Sequence, residues 1–214
     1  MHSAVHRIRR SAVHVAILAV VAGANPIALA TVAPNAGDAH VNGATASTRN
    51  QNYGGANNLL VNQNMSALVR FDLGTLPPGT VGLDVEKATV LLWVNNVPLA
   101  GSVTVFATTS PWNEATVTFN TQPGSSALPI ASLPIAVGME RQYIAFDVTE
   151  QVRSWLDTAG SNHGLLLKAA GPVSVAFDSK ENVGIPATLD ITLLSGGSAG
   201  PPGAAATIAV GSTL

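Results

Sequence analysis

The sequence predicts an all-β fold, a two-sheet antiparallel β-sandwich of the jelly-roll type with one short helix. Short segments in which apolar and polar residues alternate recur along the chain, and alternation with a period of two is typical of strands that bury one face. Sequences rich in Gly, Pro and Asn separate these segments and predict turns. About nine strands with a single helix favour two packed antiparallel sheets, and an isolated barrel is the alternative.

The predicted strands differ in how much of each is buried. Alternating segments cover residues 67–73, 85–95, 102–109, 142–148, 173–179 and 187–194. The segment HGLLLKA at 163–169 is apolar through its middle, which predicts a central strand covered on both faces. A further strand is predicted at Ala115–Phe119, where Ala115, Val117 and Phe119 would share one face.

One stretch predicts a helix, VTEQVRSWLDTA at residues 148–159. Its apolar residues recur at helical spacing and lie on one face: Val148, Val152, Trp155 and Leu156. Asp147 followed by Glu150 resembles a capping box at its start. Trp93, on an apolar strand, and Trp155 are both predicted to lie in the core.

The first thirty residues have the layout of a secretory signal. Arg7, Arg9 and Arg10 precede the apolar stretch Ala12–Ala24, and Asn25 and Pro26 interrupt that stretch. A retained membrane anchor is the alternative, but the apolar run ends before the roughly 20 residues that a span needs. The prediction is therefore a cleaved signal peptide at residues 1–30 and a secreted or cell-surface protein, with Sec and twin-arginine export both open.

The remaining chain divides into a domain at residues 31–194 and a tail at 195–214. The tail begins GGSAGPPGAAA, in which Gly recurs every third residue only briefly. So few triplets exclude a collagen triple helix and predict a flexible or polyproline-like segment, or the vestige of a collagen-like linker.

Charge and cysteine content exclude several classes of function. The chain has no cysteine, which excludes disulfides and thiolate metal sites. After residue 30 it has seven basic and twelve acidic residues, a net charge of −5. The basic residues are scattered through the sequence, so nucleic acid is excluded as a predicted partner. An anionic polysaccharide could still be held by a few basic residues that converge in one groove.

The sequence predicts no catalytic residues. His40 and His163 are the only histidines after residue 30, and neither lies in a metalloprotease or serine-hydrolase motif. Glu114 is the only acid beside an aromatic residue in a turn, and the sequence does not identify a second carboxylate near it. Trp112, two residues earlier, is predicted to cover the end of the sandwich with its N–H bonded to a backbone carbonyl, while Glu114 accepts hydrogen bonds from turn amides. A ring that stacks on sugar is the alternative for Trp112.

A series of motifs runs in order from Asp38 to Leu194: DAHV, NQNYG, LVRFDLGTLPPGT, ATVLLWV, SPWNEATVTFNTQP, FDVTEQVRSWL, HGLLLKA and VAFDSKEN. This series resembles the DNRLRE domain, which is classed as carbohydrate-binding module family 96. Phe119 stands where that family often has Trp, and Lys180 stands where it usually has Arg. The resemblance implies a noncatalytic β-sandwich module of secreted or surface proteins, some of which bind acidic polysaccharides such as alginate.

The predicted sugar-binding residues come from two loops. Arg49 and Tyr53 lie in the Asn-rich loop, and Lys180 and Glu181 follow the strand at 173–179. A tyrosine offers a flat face to a pyranose ring, and charged groups give hydrogen bonds a direction. In the alternative interpretation, Tyr53 packs against the neighbouring strand, and Lys180 and Glu181 form a solvated pair.

A structural calcium ion is also predicted, because secreted domains without disulfides gain rigidity from cages of oxygen ligands. Asp38 and Asp190, on the predicted first and last strands, are its candidate ligands.

Three functions follow from the sequence: a module that binds a polysaccharide or cell-surface glycan, an architectural or adhesive spacer, and a polysaccharide lyase or hydrolase. The first is predicted, with no nucleic-acid partner and no membrane span after processing.

Overall fold

The computed structural model describes residues 29–182 and 185–194. The predicted signal peptide lies outside this range except for Leu29 and Ala30, and the predicted tail lies wholly outside it. Within this range the chain forms one α-helix and the following eleven strands: β1 (Leu29–Ala33), β2 (Asn35–Asn42), β3 (Asn58–Asn62), β4 (Met65–Phe71), β5 (Val85–Leu99), β6 (Gly101–Ala107), β7 (Ala131–Ile135), β8 (Tyr143–Asp147), β9 (Leu165–Ala170), β10 (Ser174–Asp178) and β11 (Thr188–Leu193).

The strands form one curled antiparallel sheet. Hydrogen bonds connect them in the order β1-β11-β5-β10-β3-β4-β9-β6-β7, while β2 pairs with β4 and β8 pairs with β5. The predicted all-β class with one short helix is confirmed. A division into two separate sheets, as in a jelly roll, is not confirmed.

The curl depends on β5, the longest strand at 15 residues. Its first half pairs with β8 and β11, and its second half pairs with β10. Register shifts interrupt the pairing with β10 on both sides of Ala176. Such bulges bend a strand and increase its twist. One strand therefore turns from one part of the sheet into the next, and the sheet encloses its own core.

That core is a single cluster of buried side chains to which strands from both ends of the chain contribute. It extends from Ala33 on β1 to Leu193 on β11 and includes Phe71, Phe146 and Phe177, each with 2% or less of its surface exposed. Burying a side chain of this size contributes about 1.5–3 kcal/mol. This is the main source of stability available to a chain without disulfides.

A second, smaller cluster covers the opposite face of β2, β4 and β9. Trp112 and Val117 in the corner after β6 pack there against Ala39, Leu68 and Leu166. Leu166 points into this cluster while Leu165 and Leu167 point into the main core. The prediction that this strand is central and covered on both faces is therefore confirmed.

Trp112 has the predicted structural role. Its indole is 8% exposed, and Nε1 donates a hydrogen bond to the carbonyl oxygen of His163 at 2.8 Å. The guanidinium of Arg70 lies over the indole, 5.6 Å from its centroid. The buried ring is therefore part of the second cluster and does not offer a face to sugar.

The predicted strand at Ala115–Phe119 is wrong, because this segment is a series of turns. The amides of Thr116 and Val117 donate to the carbonyl oxygen of Asn113, and the amide of Ala115 donates to the Asn113 side chain. An Asn side chain that bonds the amide two residues later stabilises a turn. These local bonds use the amides that a strand would offer to a neighbour.

The helix, α1, spans Thr149–Asp157 and buries Val152 and Trp155 as predicted. Its start differs from the predicted capping box. Asp147 accepts hydrogen bonds from the backbone and hydroxyl of Thr149, and Glu150 pairs with Arg153 instead of reaching back. Among the described residues, no helix is both long enough and apolar enough to cross a membrane.

Trp93 is not in the core, so that prediction is wrong. It is half-buried, whereas its neighbours Leu92 and Val94 are fully buried. Its ring contacts Tyr143 edge to face, with centroids 5.0 Å apart, and Tyr143 is 45% exposed. The alternation of β5 places Leu92 and Val94 inside, so Trp93 must face outward.

Two glycines with positive φ differ in how closely the neighbouring backbone approaches them. Gly164 has φ +94°, and an added Cβ would lie 2.4 Å from the carbonyl oxygen of Val69. Gly160 has φ +75° with no atom within 4 Å of such a Cβ. We expect Gly164→Ala to lower the free energy of unfolding by about 3 kcal/mol or more, because backbone strain and a steric clash add. The matched variant Gly160→Ala meets only the strain and should lose about 1–2 kcal/mol. Equal losses in urea unfolding would contradict this close approach.

Candidate functional site

Four segments that are distant in the sequence meet at one end of the sheet, which we call the loop end. They are strand β2, the Asn-rich loop at residues 49–57, the corner at 110–123, and the turn after β10 at 179–182. The corner and the Asn-rich loop are joined by Asn52, whose side-chain amide donates to the carbonyl oxygens of Glu114 and Val117, each at 2.7 Å. A Cβ added at Gly54 would lie 2.2 Å from the Glu114 carbonyl oxygen. The loop and the corner are therefore in direct backbone contact.

The turn after β10 is anchored to the same loop. Ser179 is fully buried; its amide donates to the carbonyl oxygen of Asn57, and its hydroxyl donates to that of Ala56. The amide of Lys180 donates to Asp38 Oδ2 at 2.9 Å. This turn therefore connects the loop to β2 and directs the Lys180 and Glu181 side chains toward Asp38.

Three carboxylates and one ammonium group meet at this point. Oxygens of Asp38, Glu114 and Glu181 lie within 4.8 Å of one another, and we call these three residues the carboxylate cluster. Lys180 Nζ lies 3.1 Å from Glu114 Oε2 and 2.5 Å from Glu181 Oε1. Glu114 Oε1 accepts a hydrogen bond from the amide of Asp38 at 2.7 Å. Glu114 thus accepts a backbone amide as predicted, although the donor lies on a strand and not in a turn.

Burial and charge perturb two of these groups. Asp38 has no exposed surface, and burial raises its pKa from 3.8 to about 7, with the negative charges of Glu181 and Glu114 adding to the effect. Hydrogen bonds from the Lys180 amide and from Asn35 act in the opposite direction. The pKa of Lys180 is raised above its ordinary value chiefly by its hydrogen bond to Glu181. The ammonium therefore stays charged, and near neutral pH the proton on Asp38 offsets part of the negative charge.

This arrangement does not favour hydrolysis of a glycosidic bond. A glycosidase acid and its partner carboxylate must both contact the sugar at the scissile bond. Asp38 has no exposed surface, and Glu114 and Glu181 expose only about a quarter of their side chains and pair with Lys180. Glu114 therefore does have other carboxylates near it, which the sequence could not identify. The cluster is turned inward, however, because its carboxylates are largely buried and paired.

The four predicted sugar-binding residues are only partly brought together. Lys180 and Glu181 belong to the ion-paired network around the carboxylate cluster. Tyr53 packs against β2, as in the alternative interpretation: its ring stacks on His40 with centroids 4.5 Å apart, and its hydroxyl donates to Gln51. Burial lowers the pKa of His40, so a neutral imidazole lies against the tyrosine.

Arg49 lies apart from the other three and lines an open hollow of about 320 Å³ together with Thr45, Asn50 and Asn120. Its Nε donates to the carbonyl oxygen of Gly43, and its guanidinium lies over the Phe119 ring, 5.1 Å from the centroid. Within the described part of the chain Arg49 has no carboxylate partner within 4.0 Å. The hollow therefore combines an available cation with neutral hydrogen-bonding side chains.

Asp190 is not among the carboxylates near Asp38. It is exposed on β11, opposite Thr89 of β5 and Val32 of β1, whereas Asp38 lies opposite Val69 of β4. Both residues were predicted to lie on terminal strands of the domain, but β2 and β11 pair with different neighbours. Glu114 and Glu181, which do lie beside Asp38, are distant from it in the sequence, and no spacing rule groups the three.

Comparison with known protein families finds a match to "Carbohydrate-binding module family 96" over residues 29–192. The match covers most of the chain and every segment of the loop end. The chain belongs to this family. The family resemblance drawn from the ordered motifs is therefore confirmed, and no curated protein matches the chain.

The raised pKa of Asp38 predicts a pH-dependent stability. Between pH 3.8 and about 7 the folded state holds a proton that the unfolded state has lost, so the contribution of Asp38 to stability falls as the pH rises through this window. Asp38→Asn removes the charge and keeps an oxygen that can accept from Asn35 and Lys180. EDTA is present so that no metal ion affects the comparison. We expect this variant to be more stable than the wild type, with a free energy of unfolding higher by on the order of 2 kcal/mol at pH 8 and by less at pH 5.

Urea unfolding across pH 5–8 checks this expectation. His40 is present in both proteins, so its own titration cancels in the difference. Asp190→Asn, an exposed carboxylate on β11, is the matched control and should show a pH profile parallel to that of the wild type. A parallel profile for Asp38→Asn as well would show that burial does not perturb Asp38.

Proposed function

We propose that this chain is a noncatalytic module that binds an extracellular or cell-surface polysaccharide at the loop end. The observation that supports this most directly is membership of carbohydrate-binding module family 96. The predicted secretory signal at residues 1–30 supports a location outside the cell, where such polymers occur. The inward orientation of the carboxylate cluster supports a role in binding rather than in catalysis.

The hollow beside Arg49 is the proposed sugar contact. Its volume of about 320 Å³ falls at the lower end of the size range of small-molecule sites. Amide and hydroxyl groups of Thr45, Asn50 and Asn120 match the hydroxyls of a sugar, and a guanidinium can bind a carboxylate with two parallel hydrogen bonds. A polymer that carries some uronate fits this combination. Tyr53, which is half-buried, extends the proposed contact along the Asn-rich loop.

Lys180 and Glu181 contribute to this site by holding the turn and the corner in place. Both side chains are about a quarter to a third exposed, and each is paired within the loop end. Their substitution should therefore disturb binding through the shape of the loop end more than through a lost contact. Arg49 is the residue of the predicted four whose charge is available to a ligand.

Substitution of Arg49 tests the proposed contact. We expect Arg49→Ala to weaken binding to a polysaccharide at least about tenfold, because a charge-assisted hydrogen bond contributes about 1.5–3 kcal/mol. Affinity electrophoresis across a panel of neutral and uronate-containing polysaccharides identifies the ligand, and calorimetry then gives the dissociation constants. Tyr53→Ala should also weaken binding.

Two controls locate the site. Lys87→Ala removes an exposed cation from β5, and Tyr143→Ala removes the exposed aromatic ring beside Trp93; neither should change the affinity. If Tyr143→Ala abolishes binding and Arg49→Ala does not, the module binds sugar on the outer face of β5 and β8 and not at the loop end. A panel without any binding would favour an architectural role. New reducing ends or unsaturated uronate would contradict the noncatalytic assignment.

A further inference from the structure

The carboxylate cluster has fewer positive than negative charges. Asp38, Glu114 and Glu181 come together from three segments of the chain, and Lys180 is the cation that pairs with two of them. Three ionised carboxylates and one ammonium leave a net charge of −2. Like charges held this close in a partly buried site repel each other strongly, unless a proton or a further cation is present.

A second observation concerns individual oxygen atoms. In the described part of the chain, four buried side-chain atoms have no hydrogen-bond partner; all four are oxygens, and two of them are Asp38 Oδ1 and Glu181 Oε2. Asp38 is fully buried, so water outside the protein does not reach its free oxygen. A buried acceptor without a partner costs about 1–3 kcal/mol, and more when it is charged. Two such carboxylate oxygens in one cluster are free to bind a cation.

We propose that the carboxylate cluster binds a hard divalent cation of the calcium type, with Asp38 Oδ1 and Glu181 Oε2 as direct ligands and the Glu114 carboxylate beside them. The other oxygens of Asp38 and Glu181 accept bonds from the Lys180 amide and ammonium, which leaves these two free for the ion. A divalent charge neutralises the net −2 that the cluster has when all three carboxylates are ionised.

The donor set indicates the class of ion. The cluster offers carboxylate oxygens only, and hard cations such as Ca²⁺ bind through oxygen. Calcium accepts irregular arrangements of six to eight oxygens and completes its shell with water, whereas magnesium requires a near-ideal octahedron and loses its water reluctantly. Ligands from a strand, a corner and a turn, partly fixed by their own hydrogen bonds, fit the less demanding ion.

Lys180 pairs with two members of the same cluster and has a competing role. Its ammonium bonds Glu114 Oε2 and Glu181 Oε1, and its side chain is 30% exposed. In the absence of metal it supplies the only positive charge among the four groups. With an ion bound, the two cations repel each other, so the affinity should increase when Lys180 is replaced by a neutral residue of similar length.

This site differs from the pair Asp38 and Asp190 predicted from the sequence. Asp190 lies on β11 and is exposed, so it is a matched control and not a ligand. The proposal does not depend on the proposed glycan function, because the ion connects β2, the corner and the turn whether or not sugar binds. Its test uses the protein without any polysaccharide.

The test is calcium binding by the full chain after treatment with EDTA. Trp112 provides an optical probe because its indole lies near Glu114. One atom of the indole and Glu114 Cβ each lie 3.9 Å from the position that a Cβ on Gly37 would occupy. Terbium, which replaces calcium at oxygen sites, should emit when Trp112 is excited, and added CaCl₂ should suppress this emission. Calorimetry with CaCl₂ and with MgCl₂ gives the affinities directly.

Four variants distinguish the outcomes. Asp38→Asn and Glu181→Gln should each weaken calcium binding at least about tenfold, because affinity depends on the number of charged ligands. Asp190→Asn should leave the affinity unchanged, and Lys180→Met should increase it. Circular dichroism confirms that each variant is folded before titration.

Some results would overturn the proposal. These are no calcium binding by the wild type at millimolar concentration, unchanged binding in both Asp38→Asn and Glu181→Gln, or an equal loss in Asp190→Asn. Magnesium binding as tight as calcium binding would overturn the assignment of the ion's class. Since these titrations contain no glycan, the metal site and the glycan function fail or succeed separately.

Discussion

The structure depends on one long strand that belongs to two parts of the sheet. β5 pairs with β8 and β11 through its first half and with β10 through its second half, so the sheet curls around a single core instead of remaining open. Without cysteine, this burial is the main force that holds the domain together. The loop end exists because the curl brings β2, β10 and the corner after β6 to one side.

Periodicity predicted the buried strands well because their burial is regular. Leu165, Leu166 and Leu167 were predicted to be covered on both faces, and they face two different clusters. The alternating segment at 115–119 had the same pattern but folds as turns, because the Asn113 side chain and carbonyl bond its amides locally. Alternation of apolar and polar residues predicts which side chains can share a face. It does not predict which groups the backbone amides and carbonyls bond.

The candidate site was less predictable, since it depends on contacts between distant positions. Asp38 lies 76 residues from Glu114 and 142 from Lys180, and no spacing rule relates them. The motifs that contain these residues were visible in the sequence, and their order indicated the family. What the sequence could not show was that β2 runs beside β4 and the turn after β10, which joins Asp38 to Glu181 and separates it from Asp190.

The pairing of β1 with β11 has a consequence for how the chain acquires its structure. Thr31 lies opposite Ile191, so strands from the two ends of the domain share one ladder. Contacts between residues so far apart are formed slowly, because a long loop must close before the pairing contributes stability. The ladder is incomplete until the segment that contains β11 is available, and until then the described part of the chain offers β1 no partner strand.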